Sequence, residues 1–523
     1  MSKQIIFDSP HPALPVPDMS VTEWVIQGLR KSHDAPVFTE TFSGISITGQ
    51  HAIDQIQALA GALVAQGLQK GDVVAVMAPN SIHYFVLFQA TALAGGTLTM
   101  INPRYTAAEL DFQLRATNAA MLFYDPDLTE MAQTALSDTD LRNVVAMDPT
   151  ALDAFIDTSG AAPLTTQVPI DPDQDVAVIP YSSGTTGLPK GVMLTHRNLL
   201  ANATQWQDNR NIGPQDVAPV FLPFFHIFGL MLCQIVFPGS GGHLHLMQRF
   251  NLEEYLQIAQ DTKAKRLNVV PPIAVMLAKD PRVDRYDLSA VTDIGSGAAP
   301  LSSEIGQLIS ERLDCQFYQG YGMTELSGSS HSHPANSTKW ETLGVTVANG
   351  QSRIVDPDTK EDCDVGVAGE LWVRGPFVMK GYLNNPEATA EVLTEDGWLR
   401  TGDICSFDAE GHLSIHDRLK EMIKSNGFPV APAEVEAALI THTSIKDAAV
   451  FGAPDPEKGE VPMAVLVFEA GEVLGLEEIQ TYLSTKLATY KIVQRIEVVQ
   501  DIPKAPSGKI LRRVLRQQFL NTN

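Results

Sequence analysis

Short apolar runs alternate with helical patterns along most of this chain, and that alternation leaves few folds open. Residues 73–77 read as a strand, followed by a helix from about Ser81 to Ala94. Residues 175–179 read as another strand, then a Gly/Ser/Thr loop, then a helix from His196. Residues 218–222 and 267–270 read as buried strands, each with a helical stretch behind it. Strands that alternate with helices pack as α/β layers on a largely parallel sheet. Past about residue 365 the texture changes. Residues 369–374 and 412–415 read as strands between Gly- and Asp-rich turns. A helix at 433–440, extended runs at 448–452 and 462–468, a helix at 479–487 and a strand at 496–499 then follow. That pattern suffices for a small α+β domain of about 100 residues. The expected organisation is a large, multi-subdomain α/β N-terminal domain over residues 1–417, a link at 418–420, and a small mobile α+β C-terminal domain over 421–523.

Composition narrows the function classes. The 523 residues are 44% hydrophobic and 19% charged, which suits a soluble protein with substantial cores. No apolar run reaches the ~20 residues a bilayer span requires. The first residues are too proline-rich for a secretory signal, and the last three, Asn521-Thr522-Asn523, are no targeting tail. A cytoplasmic enzyme is the expectation. The net charge of −24 argues against a general nucleic-acid binder, which needs a basic face. Cys233, Cys315, Cys363 and Cys405 are far apart, without the spacing of a zinc site or a disulfide framework. The pairs His243/His245 and His331/His333 lack a nearby Cys or carboxylate motif and read as ordinary strand and loop positions.

The strongest local signal is Tyr181-Ser182-Ser183-Gly184-Thr185-Thr186-Gly187-Leu188-Pro189-Lys190-Gly191-Val192. Its glycines let the backbone approach a ligand closely. Its hydroxyls and backbone N–H groups can donate to phosphate oxygens, and Lys190 adds a charge. The spacing differs from that of a Walker A loop.

This segment resembles the signature of the adenylate-forming superfamily, which includes acyl-CoA synthetases, 4-coumarate–CoA ligases, firefly luciferase and the adenylation domains of peptide synthetases. Further matches follow in the expected order: Phe224-Phe225-His226-Ile227-Phe228-Gly229, Gly295-Ser296-Gly297-Ala298-Ala299-Pro300, Gly320-Tyr321-Gly322-Met323-Thr324-Glu325, Trp398 to Asp403, Asp417-Arg418-Leu419-Lys420 and Pro506-Ser507-Gly508-Lys509. The matches run from about residue 181 to 513. The resemblance implies ATP, Mg²⁺ and coenzyme A as the small molecules used, with a carboxylic acid as the substrate. It makes Ser182, Ser183, Gly184, Thr185, Thr186, Gly187 and Lys190 the phosphate loop. Ala298, Gly320, Tyr321, Gly322 and Met323 fall on the adenine and acyl side, with Tyr321 against the adenine ring. Thr324 is placed at the α-phosphate and Glu325 on the magnesium. Asp403 and Arg418 are placed at the ribose.

Lys509 alone reads as a solvated lysine in a basic tail, since Arg512, Arg513 and Arg516 follow. The resemblance makes it the cation that bridges the substrate carboxylate and the phosphate. His226, which alone reads as a core histidine, becomes the gate of the acyl pocket. Lys420 becomes the hinge on which the small domain rotates between two half-reactions, and Gly427 joins the CoA tunnel. Lys424 matches a lysine of the 4-coumarate ligases, whereas Asn426 and Pro429 stand where those usually have Lys and Gln. Proline has no N–H to donate.

The expected reaction joins an acid to CoA at the expense of ATP, releasing AMP and pyrophosphate. Three alternatives remain open on these residues: a carrier-protein pantetheine as acceptor, a luciferase-like oxygenase, and a nucleotide-binding regulator without catalysis. The walls expected for the acid are His226, Phe228, Gly229, Gly297 and Gly320. They suit an aryl-propenoic or a medium-to-long aliphatic acid, apolar beyond its carboxylate, because such walls leave few partners for a second charge.

Overall fold

The run Val73–Met77 forms a strand near the middle of a seven-stranded sheet. The order across that sheet is Gly381–Tyr382, Lys190–Thr195, Val176–Ser182, Thr97–Ile101, Val73–Met77, Ala119–Tyr124 and Asn143–Ala146. Pairing is parallel from Val176–Ser182 to Asn143–Ala146 and antiparallel beyond. The helix Ile82–Leu93 lies buried along its whole length, and Ser81 caps it by accepting from the Tyr84 N–H at 3.1 Å. A helix without a polar face is sandwiched between layers. These features come from a computed structural model, which describes residues 5–135, 141–182, 189–299, 301–334, 337–419, 421–425, 428–455, 459–505 and 508–520.

A second sheet begins with the parallel strands Arg266–Val269, Asp293–Ser296 and Gln316–Met323, then turns antiparallel through Gly328–Ser332 and Val345–Thr346. A third, wholly antiparallel sheet runs Phe7–Asp8, Gln351–Val355, Gly369–Arg374, Leu399–Phe407 and Leu413–Arg418. A smaller sheet joins Val217–Val220, His243–Leu246, Pro36–Glu40 and Ser46–Thr48. One apolar core extends through these layers, from Val21 to Leu413.

Two other cores, one around Ile423, Val435 and Leu466, the other around Ala449, Val465 and Leu515, use only residues beyond the third sheet. They flank the long hairpin of Ile445–Asp455 and Gly459–Phe468, to which Arg495–Val498 adds a parallel strand. The chain is therefore a mixed α/β protein with a large N-terminal domain and a smaller C-terminal one.

One expectation requires correction. The Gly/Ser/Thr loop does not lead from a strand into the helix at His196. The stretch Lys190–Thr195 is itself a strand, paired antiparallel with Val176–Ser182 in a register that sets Ser182 opposite Lys190. Its apolar Val192 and Leu194 are fully buried. The loop thus joins two strands of a hairpin, and the helix His196–Arg210 starts only after it, capped by Thr195 and Asn198. Residues 183–188 lie outside the described residues.

Close backbone approach fixes Gly322. A β-carbon there would stand 1.7 Å from the Gly328 carbonyl oxygen on the paired strand. Gly322→Ala should therefore destabilise the protein by about 1–3 kcal/mol, the usual range for overpacking. Gly213→Ala, where a β-carbon meets nothing within 4 Å, should change stability by less than about 0.5 kcal/mol. Urea denaturation of both variants checks the pair.

Candidate active site

A cavity of about 1540 Å³ opens between the first three sheets and the small domain. The phosphate-loop hairpin supplies Ser182 and Lys190 to its lining. Ser182 donates through its hydroxyl to Glu325 Oε1 at 2.9 Å, and the Tyr382 hydroxyl donates to the same oxygen at 3.0 Å. Glu325 sits in the helical turn Thr324–Leu326 and is only 5% exposed. Lys190 lies over the Tyr382 ring, 4.9 Å from its centroid. Burial and the adjoining Glu325 push the Tyr382 phenol up, so it stays a donor at any working pH.

Across the cavity the Tyr321 hydroxyl donates to Asp403 Oδ2 at 2.5 Å, and Arg418 stands 3.3 Å from Asp403 Oδ1. Burial raises the Asp403 carboxyl; the Arg418 charge, the Tyr321 hydrogen bond and the Lys509 charge oppose it. Tyr321 is itself nearly buried and packs edge-on to His331, with centroids 5.9 Å apart. It is thus both core and cavity lining. His331 is held by serine and threonine hydroxyls, with Ser352 Oγ at 3.1 Å.

Lys509 follows Gly508, whose φ of +82° is in the left-handed region that glycine adopts freely. Its side chain reaches the cavity wall from the small domain. It is no solvated tail lysine: burial, then the Arg418 charge, lower its pKa to about 8, against the pull of Glu421 and Asp403. Three residues on, Arg512 is half-buried in an ion cluster. It donates to Glu436 at 2.6 and 2.8 Å, to the Val450 carbonyl at 3.0 Å, and to Glu421. Asp417, which accepts from the Ala433 N–H at 2.9 Å, feels the Arg512 charge through space. The cluster ties the segment that carries Lys509 to Glu421 and Glu436 within the small domain.

His226 caps the short helix Ile227–Gly229, with its Nδ1 accepting from the Phe228 N–H at 3.2 Å. Burial lowers its pKa to about 4, so the ring is neutral and carries its proton on Nε2. A seven-residue π-helix, Leu230–Val236, follows; such stretches are rare and concentrate at functional sites. Phe228 and Gly297 face each other, since a β-carbon on Gly297 would lie 3.1 Å from the Phe228 ring. Ala298 is held at φ +77°, strained for a residue with a β-carbon. Gly320, Gly322, Met323 and Thr324 also line the cavity.

Gly229 does not belong to the lining. Its α-carbon packs on the chain at Pro223, where a β-carbon would come within 2.1 Å of the carbonyl oxygen. The cavity that Phe228 and Gly297 line also has polar side chains in its wall, among them Gln205, Asn209, Arg210 and Ser332. Arg210 and Trp206 were legible in principle: they lie four apart on the expected helix, hence on one face. Tyr382 and Arg512 had no separate sequence signal. Ser183, Gly184, Thr185, Thr186, Gly187, Lys420 and Gly427 lie outside the described residues, as does the side chain of Lys424, whose backbone pairs with Pro429.

A cavity that opposes a hydroxyl-bearing hairpin and a lysine from a second domain suits an enzyme that joins an anion to a nucleotide. Comparison with known proteins places it more narrowly. The AMP-binding enzyme family model matches residues 26–383, and the model of the AMP-binding enzyme C-terminal domain matches 434–509. The chain belongs to this family of adenylate-forming enzymes. It is 36% identical to a 4-coumarate-CoA ligase of Narcissus pseudonarcissus, over 99% of this chain and 97% of the relative. A 4-coumarate–CoA ligase of Petroselinum crispum is likewise 36% identical, over 99% and 97%. The fold matches ATP-bound MatB from Rhodopseudomonas palustris with a TM-score of 0.90 and 28% identity, over 96% of this chain and 99% of that one. It also matches the o-succinylbenzoate CoA synthetase of Bacillus subtilis, in complex with its acyl-adenylate, with a TM-score of 0.84 and 25% identity, over 96% and 98%. The protein is an AMP-forming acid–thiol ligase of the acyl/aryl-CoA type, a user of ATP and CoA. Among the described residues, no helix is long and apolar enough to cross a membrane.

Arg512 generates the prediction here. Arg512→Met leaves Glu436 and Glu421 facing each other without their cation. Loss of one partner from a buried ion pair costs about 3–5 kcal/mol. The stranded carboxylates would have folded-state pKa values above their unfolded ones, so the folded variant gains stability on protonation. Its deficit relative to the parent protein should shrink as the pH falls from 7.5 towards 5. Urea denaturation at both pH values measures this, and a deficit independent of pH would contradict it.

Proposed function

We propose that this enzyme activates an aryl-propenoic acid, or an aliphatic acid of comparable length, through an acyl-adenylate, and transfers the acyl group to CoA in the cytoplasm. The observation that carries the reading is the position of Lys509, half-buried between Arg418 and Asp403 on the cavity that also holds Thr324 and Glu325. Attack of a carboxylate on the α-phosphorus brings anions together, so positioned cations matter more than acid–base chemistry. Lys509 neutralises both reacting groups. Lys190 and the hydroxyls of its hairpin hold the phosphates. Asp403, oriented by Tyr321 and Arg418, accepts from the ribose. Neutral His226 presents its Nε2–H to the acyl side without adding charge.

Glu325 is fit to hold Mg²⁺. It is buried, Oε1 takes both hydrogen bonds that its carboxylate makes among the described residues, and a single carboxylate with phosphate oxygens suits that ion. When bound, the ion would supply positive charge to the triphosphate.

The relatives named as CoA ligases support free CoA as acceptor. For the thioester step Lys509 must leave the cavity. We assign the pivot to residues 418–420, with rotation about Lys420, and place the domain boundary there; the two cores beyond Leu419 support that division. Gly427 and Lys424 are assigned to the CoA side.

Two half-reactions that use different faces of the small domain separate by mutation. Lys509→Ala should lose ATP–pyrophosphate exchange by a factor of roughly 10² or more. Given preformed acyl-AMP and CoA, the same variant should release thioester at a near-normal rate. Equal slowing of both halves would make Lys509 a support of the fold. The charge on Lys509 also sets a pH limit. With its pKa lowered to about 8, the lysine is cationic below that value, and exchange kcat/KM should fall as the pH rises through it. Lys509→Arg, if active, should move the fall to higher pH.

A further inference from the structure

At the inner end of the helix His196–Arg210, Arg210 is 7% exposed and lines the cavity. Its guanidinium stacks on Tyr318, 3.3 Å from the ring centroid. One of its nitrogens donates to Ser332 Oγ at 3.2 Å and to the His333 carbonyl at 3.3 Å. Asn209 donates to the same Ser332 oxygen at 3.0 Å. No carboxylate of the described residues forms an ion pair with Arg210. The buried carboxylate of Asp293 pairs instead with Arg266, at 3.5 Å. A guanidinium offers five donors, and cannot escape burial by losing its proton. The helix C-terminus and the Tyr318 face supply partial negative charge, but neither is a counter-ion. The Asp293 carboxylate acts on Arg210 by charge but is not in direct contact with it, so a wholly apolar acyl group bound beside the guanidinium would seal this cation away from water without a directly paired anion, which is unfavourable.

We propose that Arg210, with Asn209 and Ser332, forms a subsite for a second anionic group, a carboxylate, at the end of the acid remote from the reacting carboxyl. The inference rests on the adenylation reading above and refines its substrate class from a monoacid to a diacid. Trp206, one turn earlier on the helix face, and Phe228 line the apolar stretch, their rings 6.3 Å apart. The carboxylate accepts from the guanidinium edge that the protein leaves free, which gives the cation its counter-ion only when the right acid is bound.

The test is ATP–pyrophosphate exchange with matched acids: 4-methylcinnamic against 4-carboxycinnamic acid, and octanoic against octanedioic acid. A charge-assisted hydrogen bond of this kind corresponds to about 10- to 100-fold in affinity. The parent enzyme should prefer the diacid of at least one pair by about tenfold or more in kcat/KM. Arg210→Met should reverse that ratio, chiefly through KM, and Arg210→Lys should restore part of it. Preference for the monoacid in every pair that reacts overturns the subsite, while exchange with those monoacids leaves the adenylation reading standing. Equal losses for monoacid and diacid in Arg210→Met would also overturn it, since a merely structural arginine behaves that way. If neither variant folds, the preferences of the parent enzyme decide. Exchange with none of the four acids would contradict both readings.

Discussion

The structure turns on one electrostatic problem: a protein with a net charge of −24 must bring a carboxylate to a triphosphate. Like charges repel strongly in a cavity that excludes water. The cavity answers with cations that are locally concentrated despite the overall balance. Lys190, Arg418, Lys509 and Arg512 all line it, from three separate segments. Each is steadied by an acceptor or a ring: Tyr382 under Lys190, Asp403 beside Arg418, Glu421 and Glu436 around Arg512. Lys509 is the exception. Burial and its cationic neighbours leave it with a lowered pKa, a lysine whose charge is completed by what binds.

Charge also orders the segment that carries Lys509. The Arg512 cluster holds that segment to Glu421 and Glu436 within the small domain, and Arg512 acts by charge on Asp417, whose neighbour Arg418 pairs with Asp403 on the adjoining strand.

Much of the fold was legible because its strands are short, apolar and bounded by turns. Residues 73–77 and 369–374 are strands with those very limits. The hairpin at Lys190–Thr195 was missed for a local reason. Its residues follow a loop rich in glycine and precede a helix directly, so its six positions read as part of the loop. The site was legible where chemistry lies in contiguous motifs, as at Gly320 to Glu325. It was not legible where function depends on residues brought together by packing. Gly229 reads as space in a motif, yet its missing β-carbon accommodates the Pro223 carbonyl. Arg210 reads as a helix-terminal arginine, and only packing buries its guanidinium against Tyr318 on the cavity wall.

The central claim is that the acid's own oxygen attacks the α-phosphorus in this cavity. Turnover with an acid labelled with ¹⁸O in both carboxyl oxygens tests it most directly, read by mass spectrometry of the released nucleotide and pyrophosphate. The account requires one labelled oxygen in AMP and none in pyrophosphate. Label in pyrophosphate, or AMP without label, would contradict it.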